Sequence, residues 1–393
     1  MIAGIPEIDF ETAAWAEWES ARRTSWVARS QRGLEVLRYR QGLAVLDHKQ
    51  LEKGASFRRR LDDVGITSGP IRDLWERMLI CNEGTVRETL RVPLARLFGP
   101  AQMNKLQARL RSIVDGVLDE IQSMDDVDFM RDIAWKIPSR VYCYLVSAPE
   151  SFAPTAARLS DSTLAPILGN NKGRRQESID AVWESYALVK DHIDARRNNL
   201  GDDFTSIMIR QQMEGLLSEE ELILQGMSIL QASVENTIHQ MGLTFATLLE
   251  RPERWREVCD KPQTVPVAIE ETIRLHPRFG TVFRYAPAAV EFEDITIPGD
   301  SWVYVSIRSA NRDDKMFEDA DDFRLGRPRA RALMFGGGPY NCLGQSLARL
   351  EISETLRAVM ARCPDIRMLG EWTRKSSNAV TEVSQLRVAL TPA

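Results

Sequence analysis

The chain has 393 residues, 44% hydrophobic and 27% charged, with a formal net charge of -5; that balance excludes a disordered chain and gives no electrostatic reason to expect a nucleic-acid or anionic-membrane partner. No apolar run reaches the roughly 18 residues a membrane helix needs, and the acidic N-terminal stretch lacks the basic-then-apolar order of a signal peptide, so the expected compartment is the cytoplasm. Five scattered cysteines without a CxxC pair (Cys81, Cys143, Cys259, Cys342 and Cys363), and four histidines without HExxH spacing, argue against a disulfide framework, a zinc site and a histidine-rich metal centre.

Along the chain, WVARS and LEVLRY near the start read as strands. Trp75 reads as core packing. From about residue 100 to 275 apolar positions recur every three to four residues, which predicts a helical body broken by polar or Gly/Pro stretches such as Leu168 to Gly173. Its longest member is predicted from about Glu219 to Glu250, capped by Ser218 and ended by Pro252; a helix that long would cross the whole molecule. Strand patterns return at TVFRYA, AVEFEDITI and WVYVSI between 281 and 307, and at LRVAL near the end, so the sheet must be assembled from distant segments. This layout predicts a mainly α fold with small β-sheets (α+β), and the absence of repeats or a low-complexity linker predicts one continuous domain over 1–393.

The most informative stretch is ALMFGGGPYNCLGQSLARLE, residues 332–351. Gly336, Gly337 and Gly338 permit backbone turns closed to other residues and a close approach to a flat ligand. Cys342 then stands where the next helix begins. Unpaired N–H groups and the positive end of the helix dipole are expected to lower the thiol pKa there and hold the sulfur as an iron-ligating thiolate.

Phe335, Gly338, Cys342 and Gly344 fit FxxGxxxCxG, and the stretch resembles the haem-binding signature of the cytochrome P450 family. EETIRLHP, residues 270–277, resembles the family's ExxR, with Glu271 and Arg274 able to pair on one helix face. By that resemblance the fold would be a triangular prism holding haem b (iron protoporphyrin IX) between the long central helix and the cysteine-loop helix, with Cys342 as the axial iron ligand. In NEGTVRETLRVPLARLF, Arg87 and Arg91 take the places of a basic pair that binds the haem propionates, and Arg284 in TVFRYA resembles a third such arginine. The family commonly carries a basic residue where Tyr340 stands; its phenol would donate a hydrogen bond to a propionate instead. The Glu271/Arg274 pair usually has a third basic partner, and alignment puts Asp322 there, leaving Arg324 or Arg327 to compensate.

LQASVENTIHQMG, residues 230–242, resembles the family's oxygen-activating segment. Ala232 takes the small-residue place beside the haem, Ser233 the usual glycine, and Glu235 the acid. Asn236 stands where a hydroxyl residue is expected, and Thr237 follows. In the family, acid and alcohol organise the water that delivers protons; an amide cannot relay a proton as a hydroxyl does, so delivery must differ here. His239, one turn on, is read as a packed residue. The resemblance implies hydroxylation or a related oxidation of a lipophilic small molecule in specialised metabolism, with electrons from a ferredoxin and its reductase. Arg327, Arg329, Arg331 and Arg349 are the candidate docking patch for that donor. Asn236 prompts a second reading, oxidative coupling, migration or desaturation without oxygen insertion; a non-catalytic haem-binding sensor is a third. Substrate choice is assigned to loops near Ser56 to Leu74, Leu159 to Arg175, Phe279 to Phe283 and Ser376 to Ser384.

Overall fold

The computed structural model describes residues 4–121, 125–168, 172–377 and 379–391. Residues rich in β-branched and aromatic side chains build the main sheet, whose strands run in the order Val27–Ser30, Gly33–Val36, Ser301–Ser306 and Thr281–Ala286. Gly33–Val36 lies parallel to Ser301–Ser306 and the other neighbours are antiparallel, so two early strands are completed by two late ones. AVEFEDITI forms its own hairpin, Val290–Phe292 with Ile295–Ile297. The terminal Arg387–Ala389 joins Val127–Asp128 and Arg367–Met368 in a second sheet. These short partners, and the pair Thr373–Ser376 with Thr381–Gln385, carry little alternation and were not predicted.

The helical body comprises Pro100–Asp119, Lys136–Val146, Ala153–Leu168, Arg175–Arg196 and Phe204–Met213, followed by the central element. Its start is fixed as predicted: Glu221 N–H donates to Ser218 Oγ at 3.2 Å, and Ser218 N–H to Glu221 Oε2 at 2.7 Å, a reciprocal cap. The expectation of one uninterrupted helix is corrected. The element is two helices, Glu219–Ser233 and Glu235–Leu249, parted at Val234, whose backbone sits at φ -103°, ψ -71°. In the second half every residue except Asn236 is buried, its polar side chains included. It packs against the helix Val265–Leu275, which carries Glu271 and Arg274, and against Gln345–Arg362, which follows the cysteine loop. No described helix is long and apolar enough to cross a membrane. Trp75 is fully buried, as expected of core packing.

Candidate active site

The cysteine loop is shaped by its glycines and by one backbone bond. Gly336 at φ +73° and Gly338 at φ +56° occupy the left-handed region that other residues avoid, and the turn they make lets Cys342 N–H donate to the Phe335 carbonyl at 2.8 Å. Gly344 is the N-cap of Gln345–Arg362, and its N–H is directed at the Cys342 sulfur. Cys342 is enclosed by protein yet its surface is open, so its sulfur borders an internal space; Cys81, Cys143 and Cys363 are buried packing residues and Cys259 is half-buried. The expectation that the helix end alone lowers the thiol pKa is corrected. Burial pushes the Cys342 thiol up, against the opposing pull of the Gly344 N–H, Lys53, Arg91 and Arg349. Desolvation therefore outweighs the helix end, and the anion calls for a metal, which deprotonates a coordinating thiol outright.

The structure brings the three predicted arginines to this loop. Arg87 Nη1 donates to the Leu79 carbonyl at 2.7 Å and Arg91 Nη2 to the Asn341 carbonyl at 2.5 Å, while Arg284 Nη2 reaches the Leu46 carbonyl at 2.9 Å. Arg87 and Arg284 are buried and meet neutral carbonyls; burial lowers each to about 10. Arg284 Nε has no hydrogen-bond partner among the described residues. Tyr340 is corrected. Its ring lies between the two guanidinium groups, 4.7 Å from Arg87 and 4.8 Å from Arg284, and its hydroxyl donates to the Glu83 carboxylate rather than standing free for a propionate.

A fourth cation escaped sequence reasoning. Lys53 precedes the helix Gly54–Asp63, whose Gly54 N–H donates to the same Glu83, and follows Glu52, whose backbone pairs with Tyr285 beside Arg284. The half-buried side chain feels the charges of Arg284, Arg87 and Arg91, and burial first, then those arginines, bring its pKa down to about 7, with Cys342 pulling the other way. No motif spacing links a lysine at 53 to the cysteine loop; the Glu52–Tyr285 pairing and the Gly54 bond to Glu83, which also binds Tyr340, do so. Four cations with one bonded carboxylate, Glu83, form a charge group that burial would make costly without further anions. Asp47, also near, is taken by Arg331. The two propionates of haem fit that need. Lys53→Met is expected to remove one charge-assisted contact, worth about 1.5–3 kcal/mol, and to speed haem transfer to an acceptor protein roughly ten- to a hundredfold; an unchanged transfer rate would exclude Lys53 from the cofactor site.

The ExxR pair is buried and fully bonded. Arg274 Nε and Nη2 each meet a Glu271 carboxylate oxygen at 2.7 Å. The third basic partner is Arg327, whose Nε reaches Glu271 Oε1 at 2.8 Å, while Arg324 contributes its backbone N–H at 3.0 Å. Asp322 takes part through its carbonyl, which accepts from Arg274 at 2.9 Å and Arg327 at 3.0 Å. Its acidic side chain is therefore no obstacle. Asn311 closes the network, exchanging backbone and side-chain bonds with Arg274 at 2.9 Å each. Of the candidate docking arginines, Arg329 and Arg331 are exposed, Arg331 in a pair with Asp47, while Arg327 is committed to Glu271 and Arg349 pairs with Glu270. The Arg349 guanidinium also lies 4.4 Å from the Phe335 ring, bracing the loop.

On the central element, Ala232 is open while its neighbour Gln231 is buried. Ser233 bonds back to the Ile229 carbonyl at 2.5 Å. Glu235 is buried and bonded to Arg278 Nη2, and lies 3.3 Å from His239 Nε2. Burial raises a carboxyl pKa, but the Arg278 charge and the His239 bond outweigh it and hold Glu235 at about 2. His239 is packed as predicted, edge-on to Trp135, and is also a partner of the acid. Arg278, which the sequence gave no reason to select, further donates to the Thr381 carbonyl at 3.0 Å and lies 3.6 Å from the half-buried Glu382. Thr237 is buried; Asn236 is half-buried, and its Oδ1 has no partner among the described residues.

Among the expected substrate loops, Ser56 to Leu74 is mostly two helices, Gly54–Asp63 and the start of Pro70–Arg77. Leu159 to Arg175 spans a helix end and a short turn, with 169–171 outside the described residues. Phe279 bridges to Val380, joining the other two segments.

A cysteine at a helix start, a group of cations beside its loop, two of them buried, and a broken helix bearing an acid and an amide fit a haem-thiolate site. The comparisons agree. Residues 162–364 match the family model for cytochrome P450. The chain is 31% identical over 379 residues to luteothin monooxygenase of Streptomyces thioluteus, covering 94% of this chain and 92% of that protein. It is 30% identical over 340 residues to mycinamicin IV hydroxylase/epoxidase of Micromonospora griseorubida, covering 85% and 82%. A solved cytochrome P450 for C–S bond formation in chuangxinmycin biosynthesis superimposes with a TM-score of 0.87 at 24% identity, covering 99% of this chain and 98% of that one, and so shares the fold. The chain belongs to the cytochrome P450 family. It is an oxidoreductase whose cofactor is haem b.

Proposed function

We propose that the chain, working as one domain, activates dioxygen to oxidise a lipophilic small molecule in specialised metabolism, with insertion of oxygen into a C–H bond as the principal outcome. The observation that carries this reading is the cysteine loop, with Cys342 open to an internal space and the Glu271/Arg274/Arg327 network behind it. Bound haem supplies the redox chemistry, and a thiolate ligand donates electron density that favours O–O cleavage. Cys342 would be the ligand, while Arg87, Arg91, Arg284 and Lys53 would hold the propionates; Phe335, Gly338 and Gly344 shape the loop that carries the ligand, and the small Ala232 would leave room for the cofactor. Tyr340 acts through its ring and Glu83, as a brace between two arginines. Two electrons come from a ferredoxin and its reductase in the cytoplasm. The names of similar proteins, a monooxygenase and a hydroxylase/epoxidase, support oxygen insertion.

Glu235 is the acid of the site, kept ionised by Arg278. Asn236 cannot pass on a proton as a hydroxyl does, so Thr237 or water serves beside it. The same residue favours the second reading, coupling, migration or desaturation with no oxygen retained. Turnover under labelled dioxygen decides between them: label in the product supports insertion, and label confined to water supports the second. Asn236→Thr is expected to change the ratio of hydrogen peroxide to product at least threefold; an unaltered ratio would remove Asn236 from proton handling.

A further inference from the structure

The gap between the two halves of the central element is filled by a side chain from another helix. In an unbroken α-helix the Glu235 N–H would donate to the Gln231 carbonyl, four residues back. Here that bond is replaced by a two-step bridge. Glu235 N–H donates to Ser160 Oγ at 3.1 Å, and the Ser160 hydroxyl donates to the Gln231 carbonyl, also at 3.1 Å. A hydroxyl has one donor and two acceptor positions, which makes it the smallest side chain able to enter a helical ladder and satisfy both ends. Ser160 is 1% exposed, so bulk water does not compete for either bond. Beyond the gap the ladder resumes, with Ile238 N–H donating to the Val234 carbonyl at 3.2 Å.

Ser160 belongs to Ala153–Leu168, which packs on both Arg175–Arg196 and Glu219–Ser233. Its seat against Arg175–Arg196 is pinned by Ser178 Oγ donating to the Thr163 carbonyl at 2.8 Å and by Ser162 Oγ donating to Glu177 at 2.7 Å. The backbone of Glu235 is thus tied to a helix outside the central element, one residue before Asn236. We propose that Ser160 is a positioning residue whose hydroxyl holds the central helix open at Val234 and sets where Glu235 and Asn236 stand, so that the seat of the Ala153–Leu168 helix is transmitted directly to the oxygen-handling turn. This inference rests on the functional reading above for its consequence in turnover, but not for the bridge itself.

The test compares the haem-loaded protein with Ser160→Ala, which removes the hydroxyl at almost constant size. Hydrogen exchange is followed at the Glu235 amide, with the Ile238 amide as an internal reference. Peroxide released per electron pair is measured with a surrogate ferredoxin and reductase. The expected result is at least tenfold faster exchange at Glu235, little change at Ile238, and at least a threefold rise in the peroxide fraction, with the carbon monoxide spectrum unaltered. Exchange at Glu235 within twofold of the parent would overturn the bridge. Faster exchange with an unchanged peroxide fraction would overturn the positioning role and leave a structural one. Should the alanine variant fail to hold haem, Ser160→Cys is judged by the same two readings, since a thiol of similar shape is a weak hydrogen-bonding group. A parent protein that consumes no electrons would instead sink the functional reading, and the exchange measurement would still judge the bridge.

Discussion

Cys342→Ala is expected to abolish the far-shifted carbon monoxide absorption of the reduced protein and to reduce oxidation to background. The effect is all-or-none because the four other cysteines are buried or half-buried elsewhere in the fold, and Cys342 alone lies in the Gly-rich turn with the Gly344 N–H directed at its sulfur. Residual haem binding is expected, since Arg87, Arg91, Arg284 and Lys53 remain to hold propionates. The variant therefore separates ligation from retention: haem still bound, thiolate spectrum gone. A haem-loaded variant that kept the shifted absorption would refute ligation by Cys342.

Arg274→Ala is expected to be the most destabilising single change near the site. It leaves the Glu271 carboxylate, 4% exposed, with one of its two guanidinium partners gone, and frees the carbonyls of Asn311 and Ala320. Breaking a buried pair by removing one partner costs about 3–5 kcal/mol, a large share of the stability of an ordinary domain. Arg327 softens the loss, because its Nε still reaches Glu271. Arg327→Ala should cost less than Arg274→Ala, and the double variant should fail to assemble with haem. Urea unfolding followed by both haem absorbance and far-ultraviolet dichroism checks this; a cost below about 1 kcal/mol for Arg274→Ala would show that the network does not support the loop.

The same network shows how the sequence could be read and where it could not. Glu271 and Arg274 stand three apart on one helix, a spacing that local geometry translates into contact. Arg327 was legible only as an alternative to Arg324, because which of two nearby arginines points inward depends on the turn they occupy. The fold supplied both, one by its guanidinium and the other by its backbone N–H. Tyr340 illustrates the opposite case. Its place in the cysteine loop suggested a free phenol, but Glu83, from a distant helix cap, takes the hydroxyl.

By itself the sequence determined the helix starts and turns that short-range chemistry dictates: the Ser218 cap, the glycine-shaped loop leading to Cys342, and the Glu271/Arg274 pairing face. It also determined that the strands of the main sheet come from both ends of the chain, because their alternating patterns stand far apart. Tertiary structure alone decided Lys53 beside the arginines, Arg278 on Glu235, and the Ser160 hydroxyl inside the central helix. Each joins residues remote in sequence, and a charge or hydroxyl has no periodic signature. Its partner is selected by burial, which forces a polar group to bond with whatever the packed elements place within reach.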